Sequence, residues 1–358
     1  MLFNSVPFLL LLLPTFVLYY LPVLHRFQLH TIVISSFVFY AYNDPALLLL
    51  LLLSISINIA SSYAVVFGPQ QHRKLYATLG VVANLGILLF FKYGPLFGRS
   101  FFPETSSIGQ FLVSIPLPVG ISFFTFQGIS LVVEAYKGKA VEEYDTIVVK
   151  GIARHGLRIA AFKAFFPQLV AGPVVKAHEF LPQIRTKYFS QIDWNSAFAS
   201  LVVGYFLKMV VADNLKDQTF WVTFPYFRDM HSITLVTLLF GYSFQIFSDF
   251  AGYSLIAIGL AKLFGYDFPI NFNFPYISTT FAEFWRRWHI SLSTFLRDFL
   301  YIPLGGNRKG GFHTYRNLML TMVLGGLWHG AAWSYAVWGF FHGLVLAVER
   351  LMKDAGIK

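Results

Sequence analysis

Two histidines stand in apolar surroundings. His329 closes the run Gly325-Gly326-Leu327-Trp328-His329-Gly330, and His289 sits inside Phe284-Trp285-Arg286-Arg287-Trp288-His289-Ile290-Ser291-Leu292-Ser293. A free imidazole titrates near pH 6.5, so a neutral ring can take the proton of a hydroxyl nucleophile. Ionisable groups inside hydrocarbon are costly, which makes them functional candidates by default. A helix begun at Arg316 would carry His329 about 20 Å from the basic loop before it, well inside a hydrocarbon layer of about 30 Å. Glycines at 325, 326 and 330 remove side chains there, so a second backbone or a slim ligand could come close. Proton transfer fits this pattern. A helix-packing motif with an interhelical hydrogen bond fits it too. His342, in Phe341-His342-Gly343, falls mid-helix and reads as packing.

The element that positions His289 has a clear start. Thr280 and Glu283 form a capping-box pattern, so a helix is expected from there through about residue 300. At 100° per residue Phe281, Phe284, Trp285, Trp288, Leu292 and Phe295 share one face. Glu283, Arg286, Arg287, Ser293, Arg297 and Asp298 share the other. Glu283 and Arg287 are spaced to pair. A broad aromatic face opposite a charged one predicts an interfacial amphipathic helix near 281–300, with His289 at the edge of the apolar face. A structural histidine with a hydrogen-bonded ring is the alternative there. Arg286, Arg287 and Arg297 read as headgroup contacts or ion-pair partners ahead of substrate ligands.

Several chemistries are excluded by absence. The chain has no cysteine, which removes disulfides, thiolate metal sites and a cysteinyl-acyl intermediate. It has no Gly-x-Ser-x-Gly elbow. It lacks a His-Glu-x-x-His spacing, so no metal is expected.

The positioning elements are membrane helices. Of 358 residues, 56% are hydrophobic, 19% aromatic and only 12% charged, against about 25% charged in soluble domains. An all-α polytopic membrane protein in a single domain, 1–358, is expected, with about 9–11 transmembrane or re-entrant helices besides the interfacial one. Candidate segments are Phe3–Leu24, Thr31–Tyr42, Ala46–Phe67, Leu75–Phe97, Phe111–Tyr136, Ala153–Val170, Trp194–Val211, Ile233–Phe264, Tyr315–Trp328 and Ala331–Arg350. Prolines 7, 14, 22, 116 and 118 predict kinks or breaks. No internal repeat appears, so an inverted-repeat transporter is not supported. The opening residues carry no basic n-region and read as an uncleaved span. The net charge of +10 lies in short loops, which marks cytoplasmic loops better than a nucleic-acid surface. The loop Gly305–Arg316 and the basic C-terminus (Arg350, Lys353, Lys358) are expected on the cytoplasmic side. The loops with Arg73 and Lys74, and with Lys176, Arg185 and Lys187, are further candidates.

These motifs together resemble the membrane-bound O-acyltransferase family, in its alginate O-acetyltransferase-like bacterial branch. Further matching runs are Met1-Leu2-Phe3-Asn4-Ser5, Gly120 to Gln127, Phe166 to Pro173, Tyr242 to Ile246, Asp249, Asn271 to Tyr276, and Tyr301 to Arg308. The last run is more similar to this branch than to the D-alanyl transferases of teichoic acid synthesis. The resemblance implies that His329 is the deep catalytic histidine and His289 the family's second histidine. It implies an acyl donor on the cytoplasmic side, acetyl-CoA, used as a substrate with no resident cofactor. It further implies transfer across a bacterial inner membrane to a polysaccharide acceptor through an extracytoplasmic acetyl-transferring partner protein. Family members continue for roughly another hundred residues of helices, so C-terminal helices usual in the family are expected to be missing here. Ala251 and Leu255 stand where a serine and an acid are expected.

The resulting expectation is direct transfer of an acetyl group from a thioester to a hydroxyl, with His329 as general base. Asp249, Gln245 and His289 are candidates to hold its tautomer. Arg308 and Lys309 are candidates to hold donor phosphates, and Trp328 joins the candidate substrate-binding set. Two other classes stay open. Buried ionisable groups such as Lys92, Glu134, Lys208 and Asp249 also suit a transporter or scramblase. A non-catalytic membrane scaffold for an extracellular acyl-transferring partner is the third.

Overall fold

The computed structural model describes residues 1–138 and 147–356; Lys358, named above with the basic C-terminus, lies outside them. The described residues are helical, with no strand among them. Four helices are long and apolar enough to cross a membrane: Ala46–Phe67, Gln70–Phe101, Trp194–Val222 and Ser232–Leu263. A fifth candidate is the pair Val6–Tyr20 and Pro22–Ala41, bent by 104°. The chain is therefore an all-α polytopic membrane protein. Its residues divide into two units.

The first unit holds Met1–Pro45, Ala164–Pro173 and Gln183–Asn271. Its first helix starts at Ser5, whose side chain accepts from the Phe8 amide, and stops at Leu21 before Pro22. One face of this helix (Leu9, Leu10, Leu13, Val17) is exposed, as a lipid-facing surface is. Trp194–Tyr205 and Ser232–Leu263 pack closely. A Cβ on Gly204 would stand 2.8 Å from the Ile256 amide nitrogen, and one on Gly259 would stand 3.0 Å from the Ala197 carbonyl oxygen. Small residues that bring backbones together are the usual device for helices that gain little from hydrophobic burial in lipid. Lys208 pairs with Asp213 at 2.5 Å and Asp249 at 2.8 Å. Those ionisable groups thus have opposite charges beside them.

The second unit holds Ala46–Lys163, Val174–Pro182 and Phe272–Lys358. Down one face of Ala46–Phe67, Ser54, Asn58 and Ser62 recur at one-turn spacing, all fully buried. Asn58 donates to Asn84 Oδ1 at 3.0 Å, Lys163 to Ser54 Oγ at 2.6 Å, and Ser62 Oγ lies 2.8 Å from His155 Nε2. This seam satisfies polar groups inside hydrocarbon and sets helix register. The single segment expected over Phe111–Tyr136 is two helices, Ser107–Ser114 and Ile121–Lys137. Pro116 and Pro118 separate them, because a proline supplies no amide for a helical hydrogen bond.

On one loop helix of this unit, His178 Nδ1 lies 2.9 Å from Glu134 Oε1, so Glu134 too has a partner. The hydrogen bond to Glu134 holds the imidazole above its ordinary value, with burial opposing. A folded pKa above the unfolded one means stability present at low pH and lost as pH rises through the folded value. The stability gap between wild type and His178→Gln is therefore expected to be larger near about pH 5.5 than near about pH 8.5. It should stay within about 1 kcal/mol, because the ring is half exposed and solvent-screened. Thermal melts at the two pH values read it; an identical gap at both would sink the assignment.

Candidate functional site

The predicted 281–300 helix begins as expected. Thr280 Oγ1 accepts from the Glu283 amide at 3.1 Å, while Glu283 Oε2 accepts from the Thr279 amide at 3.0 Å. Glu283 and Arg287 pair at 2.8 Å. The helix then stops. Phe281–Arg287 ends at an extended Trp288, His289 adopts φ 43°, ψ 55°, and a second helix runs Ile290–Leu296 into a π-helical turn, Arg297–Tyr301. This corrects the single continuous amphipathic helix.

The cause is tertiary. The Asn273 amide donates to the Arg287 carbonyl at 2.9 Å, and Arg287 Nη1 donates back to the Asn273 carbonyl at 3.2 Å. An upstream strand of loop thus takes the carbonyl that a continuing helix would use. Ser291 Oγ accepts from the Val174 amide at 2.8 Å and anchors the second helix. A non-glycine residue in the left-handed region costs about 1–2 kcal/mol, so the surroundings hold His289 in place against its own backbone preference. The result is an imidazole with no exposed surface, where a continuous helix would have left it at the rim.

His329 is the last residue of Gly311–His329, and the chain leaves it through Gly330 in extended conformation before Trp333–Asp354. The two histidine rings lie 5.7 Å apart between centroids. Trp328 wedges beside both, 5.7 Å from His289 and 5.2 Å from His329. Trp338 packs edge-on against His329 at 5.3 Å. His329 lines a cavity of about 210 Å³ whose other walls include Trp285, Arg297, Tyr301, Thr321 and Trp338. Lining residues on the His329 helix run from Leu318 to His329, about 16 Å at 1.5 Å per residue. The cavity is thus a slot along that helix. Trp328 is 7% exposed and stands behind the slot, stacked on Phe126 at 5.5 Å. The indole nitrogens of Trp285 and Trp328, both buried, have no hydrogen-bond partner among the described residues.

Of the glycines around His329, Gly326 is spent on close helix packing. A Cβ there would stand 2.9 Å from Gly339 Cα of the next helix, and one on Gly330 would enter the Tyr335 ring. The approaching backbone that the spacing allowed is the following helix.

A group the motif reading passed over secures the site. The last carbonyls of a helix have no partner within it. Here Tyr93 Oη donates to the Leu327 carbonyl at 2.9 Å, and buried Lys92 donates to the Trp328 carbonyl and, at 2.9 Å, to Ser122 Oγ. A cation at a helix C-terminus also meets the negative end of its dipole. Both residues come from a π-helical turn, Leu89–Tyr93. The only sequence signal was a lysine inside an apolar span. Tyr93→Phe keeps the ring and removes one carbonyl partner, so it is expected to cost about 1 kcal/mol of stability. Lys92→Met, which removes the charged donor, is expected to cost more. Denaturant melts of both variants check this; equal stability of Lys92→Met and wild type would remove the capping role.

The other candidates fall elsewhere. Arg308 and Lys309 are exposed on the loop before the His329 helix. Asn317 Nδ2 pins that loop through the Leu304 carbonyl at 3.2 Å and the Gly306 carbonyl at 3.0 Å. The intervening Gly311–His329 helix has 19 residues, about 27 Å of rise, so these cations and His329 sit at opposite ends of it. Asp249 and Gln245 belong to the first unit, where Asp249 pairs with Lys208 and Gln245 Oε1 lies 3.5 Å from Thr219 Oγ1. His342 packs against Trp285 at 5.3 Å and Trp338 at 4.7 Å, as expected of a packing residue. Among the described residues no group of three or more His, Asp or Glu side chains could hold a metal ion.

Comparison with known proteins agrees with the motif resemblance. The model of the membrane-bound O-acyltransferase family, MBOAT, matches residues 106–355. The chain is 40% identical to the probable alginate O-acetylase AlgI of Azotobacter vinelandii, over 100% of this chain and 70% of that protein. It is 37% identical to the peptidoglycan O-acetyltransferase of Helicobacter pylori, over 90% of this chain and 64% of that protein. It is 26% identical to the teichoic acid D-alanyltransferase of Bacillus subtilis, over 66% of this chain and 59% of that protein. The chain thus spans about two thirds of the length of the alginate and peptidoglycan relatives it matches.

Proposed function

The chain belongs to the membrane-bound O-acyltransferase family, and from that premise we propose that it moves an acetyl group from acetyl-CoA to hydroxyls of an extracytoplasmic polysaccharide. The observation that carries this reading is His329 at the head of an apolar slot, with the His289 ring 5.7 Å away. In the reaction the acceptor hydroxyl gives its proton to the neutral His329 ring as its oxygen attacks the thioester carbonyl. The tetrahedral oxyanion collapses, the carbon–sulfur bond breaks, and the imidazolium returns the proton to the leaving thiolate. No covalent enzyme intermediate is needed. The buried indole N–H of Trp285, which lines the slot, is a donor of the kind that develops strength against an oxyanion in a dry site. A slender thioester arm would fit the slot beside the His329 helix. Arg308 and Lys309 at the far end of that helix would meet the donor's phosphates on the cytoplasmic side of a bacterial inner membrane.

The acceptor class follows the relatives, whose names specify alginate and peptidoglycan O-acetylation. Where an extracytoplasmic partner protein completes transfer, the hydroxyl that attacks at His329 would be the partner's, and the partner would pass the acetyl group on to the glycan. The test is release of labelled acetyl from acetyl-CoA by purified protein in nanodiscs, with soluble glycan acceptor. Turnover supports the acetyltransferase reading. Failure to bind acetyl-CoA at all would overturn it in favour of a scaffold, and donor-independent flux of lipid in liposomes would favour a scramblase.

A further inference from the structure

A second pocket lies wholly within the first unit, and none of the residues assigned to acyl transfer lines it. It has a volume of about 130 Å³ and is lined by Arg185, Lys187, Lys262, Asp193, Asp267 and the rings of Tyr20 and Tyr266, among others. Its surroundings place it at the end of the membrane helices. Tyr20 ends Val6–Tyr20, Trp194 opens Trp194–Tyr205, and Leu263 ends Ser232–Leu263. These three ends meet: Tyr20 Oη donates to the Leu263 carbonyl at 2.7 Å, and Phe16 packs on Trp194 at 6.1 Å and Phe264 at 6.0 Å. Half-exposed Tyr188 and Phe189 flank the pocket, with Phe189 5.3 Å from Trp194. Aromatic rings gathered at the ends of spanning helices mark the headgroup level of a bilayer.

The charge at this level is positive. Lys187 is 6% exposed, and its Nζ donates to the Gly265 carbonyl at 2.5 Å and lies 4.7 Å over the Tyr266 ring. Lys262 pairs with Asp267 at 2.8 Å, and Asp193 Oδ1 accepts from the Ser196 amide at 3.1 Å. Arg185 is exposed and has no ion pair or hydrogen bond among the described residues. Burial, and then the Arg185 charge, push Lys187 down to about 8, with Asp267 opposing; Arg185, Lys187 and Lys262 outnumber Asp193 and Asp267 in the lining, which leaves the site net positive. Capping of the Ser232–Leu263 helix accounts for one bond of Lys187. It leaves that ammonium's other donors and the whole Arg185 guanidinium for a ligand. Carbonyls at that helix end that would repel an anion are already engaged, Leu263 by Tyr20, Phe264 by Tyr19 and Gly265 by Lys187.

We propose that this pocket binds the phosphate of an anionic phospholipid headgroup from the cytoplasmic leaflet, with Arg185 and Lys187 as its ligands and Lys262 in support. Basic pockets between helix ends on that side recognise anionic headgroups, and each phosphate–cation contact there is charge-assisted. A zwitterionic headgroup brings its own ammonium into a site whose three cations already outnumber its two carboxylates, so the pocket favours the headgroup of greater net negative charge.

The experiment measures lipid retained by the purified chain after exhaustive detergent washing. The probes are phosphatidylglycerol, phosphatidylcholine and inorganic phosphate, read by mass spectrometry of the intact complex. Wild type is expected to hold phosphatidylglycerol over phosphatidylcholine. Arg185→Gln, which breaks no bond seen in the structure, is expected to lower that preference about tenfold, as loss of one phosphate contact does. Arg185→Gln with Lys262→Gln should lower it further, Lys187 remaining, while the melting temperature in a zwitterionic bilayer falls by no more than loss of the exposed Lys262–Asp267 pair allows. Equal retention of both lipids by wild type, or an unchanged preference in Arg185→Gln, overturns the site. Displacement of phosphatidylglycerol by millimolar inorganic phosphate would overturn the lipid as its source, the phosphate chemistry standing. The readout is independent of acetyl transfer, so it neither needs nor tests that activity.

Discussion

His329→Ala is expected to lower acetyl release by about 10²–10⁴-fold, the span that a positioned general base contributes, with little change in folding. Among the described residues the imidazole has no hydrogen bond to another side chain, and its ring contacts are with His289, Trp328 and Trp338 beside an existing cavity. Removing it enlarges open space and opens no sealed core, so the stability cost should be small. Donor affinity should also persist, because the proposed phosphate contacts lie at the other end of the helix. Loss of turnover with retained acetyl-CoA binding is therefore the expected split in the nanodisc assay. Retained turnover would take His329 out of the mechanism. His289→Asn tests the companion residue differently. Asparagine tolerates the left-handed backbone that His289 adopts (φ 43°), so the fold should hold and any loss of rate reports the ring. His289→Val, which does not tolerate it, should destabilise as well.

Gly326→Leu is expected to be the most damaging substitution that touches no reacting group. The added Cβ would stand 2.9 Å from Gly339 Cα and 3.0 Å from the Gly339 amide nitrogen, and neither backbone atom can swing aside as a flexible side chain would. Overpacking of a close core contact costs about 1–3 kcal/mol. Here the strain falls between the two helices that build the slot, so relief by separation would also widen the wall that carries His329 and Trp338. The expected result is a lowered melting temperature together with loss of acetyl release. Gly325→Ala is the control. Its Cβ would meet Leu296 Cδ1 at 2.9 Å, the end of a side chain that can move, so a milder effect is expected. Equal stability of Gly326→Leu and wild type would mean that the helices are not in the contact described.

Much of the architecture was legible in the sequence because it depends on local physics. Apolar runs of the length of a bilayer predict spans, and Ala46–Phe67 is found with the bounds read from sequence. The Thr280–Glu283 cap and the Glu283–Arg287 pair are contacts within one turn, so spacing alone specifies them. Pro116 and Pro118 mark a break because a missing amide is a property of the residue itself.

Composition and motifs alone were enough for an all-helical membrane chain of the O-acyltransferase family with His329 at the junction of two helices. Packing set the remainder. Helical periodicity carried the 281–300 segment straight through His289, yet Asn273 takes the Arg287 carbonyl and the chain turns there, turning an edge histidine into a buried one. Periodicity records which face of a helix is apolar, and has no term for a hydrogen bond offered from a loop distant in sequence. The same holds for Lys92 and Tyr93, which look like a lysine and a tyrosine in a span until the Gly311–His329 helix presents its unsatisfied carbonyls to them. It holds for Gly326, whose freedom from a side chain acquires meaning when Gly339 arrives against it. Each is a contact between groups far apart along the chain, and only the packed helices bring such groups within reach.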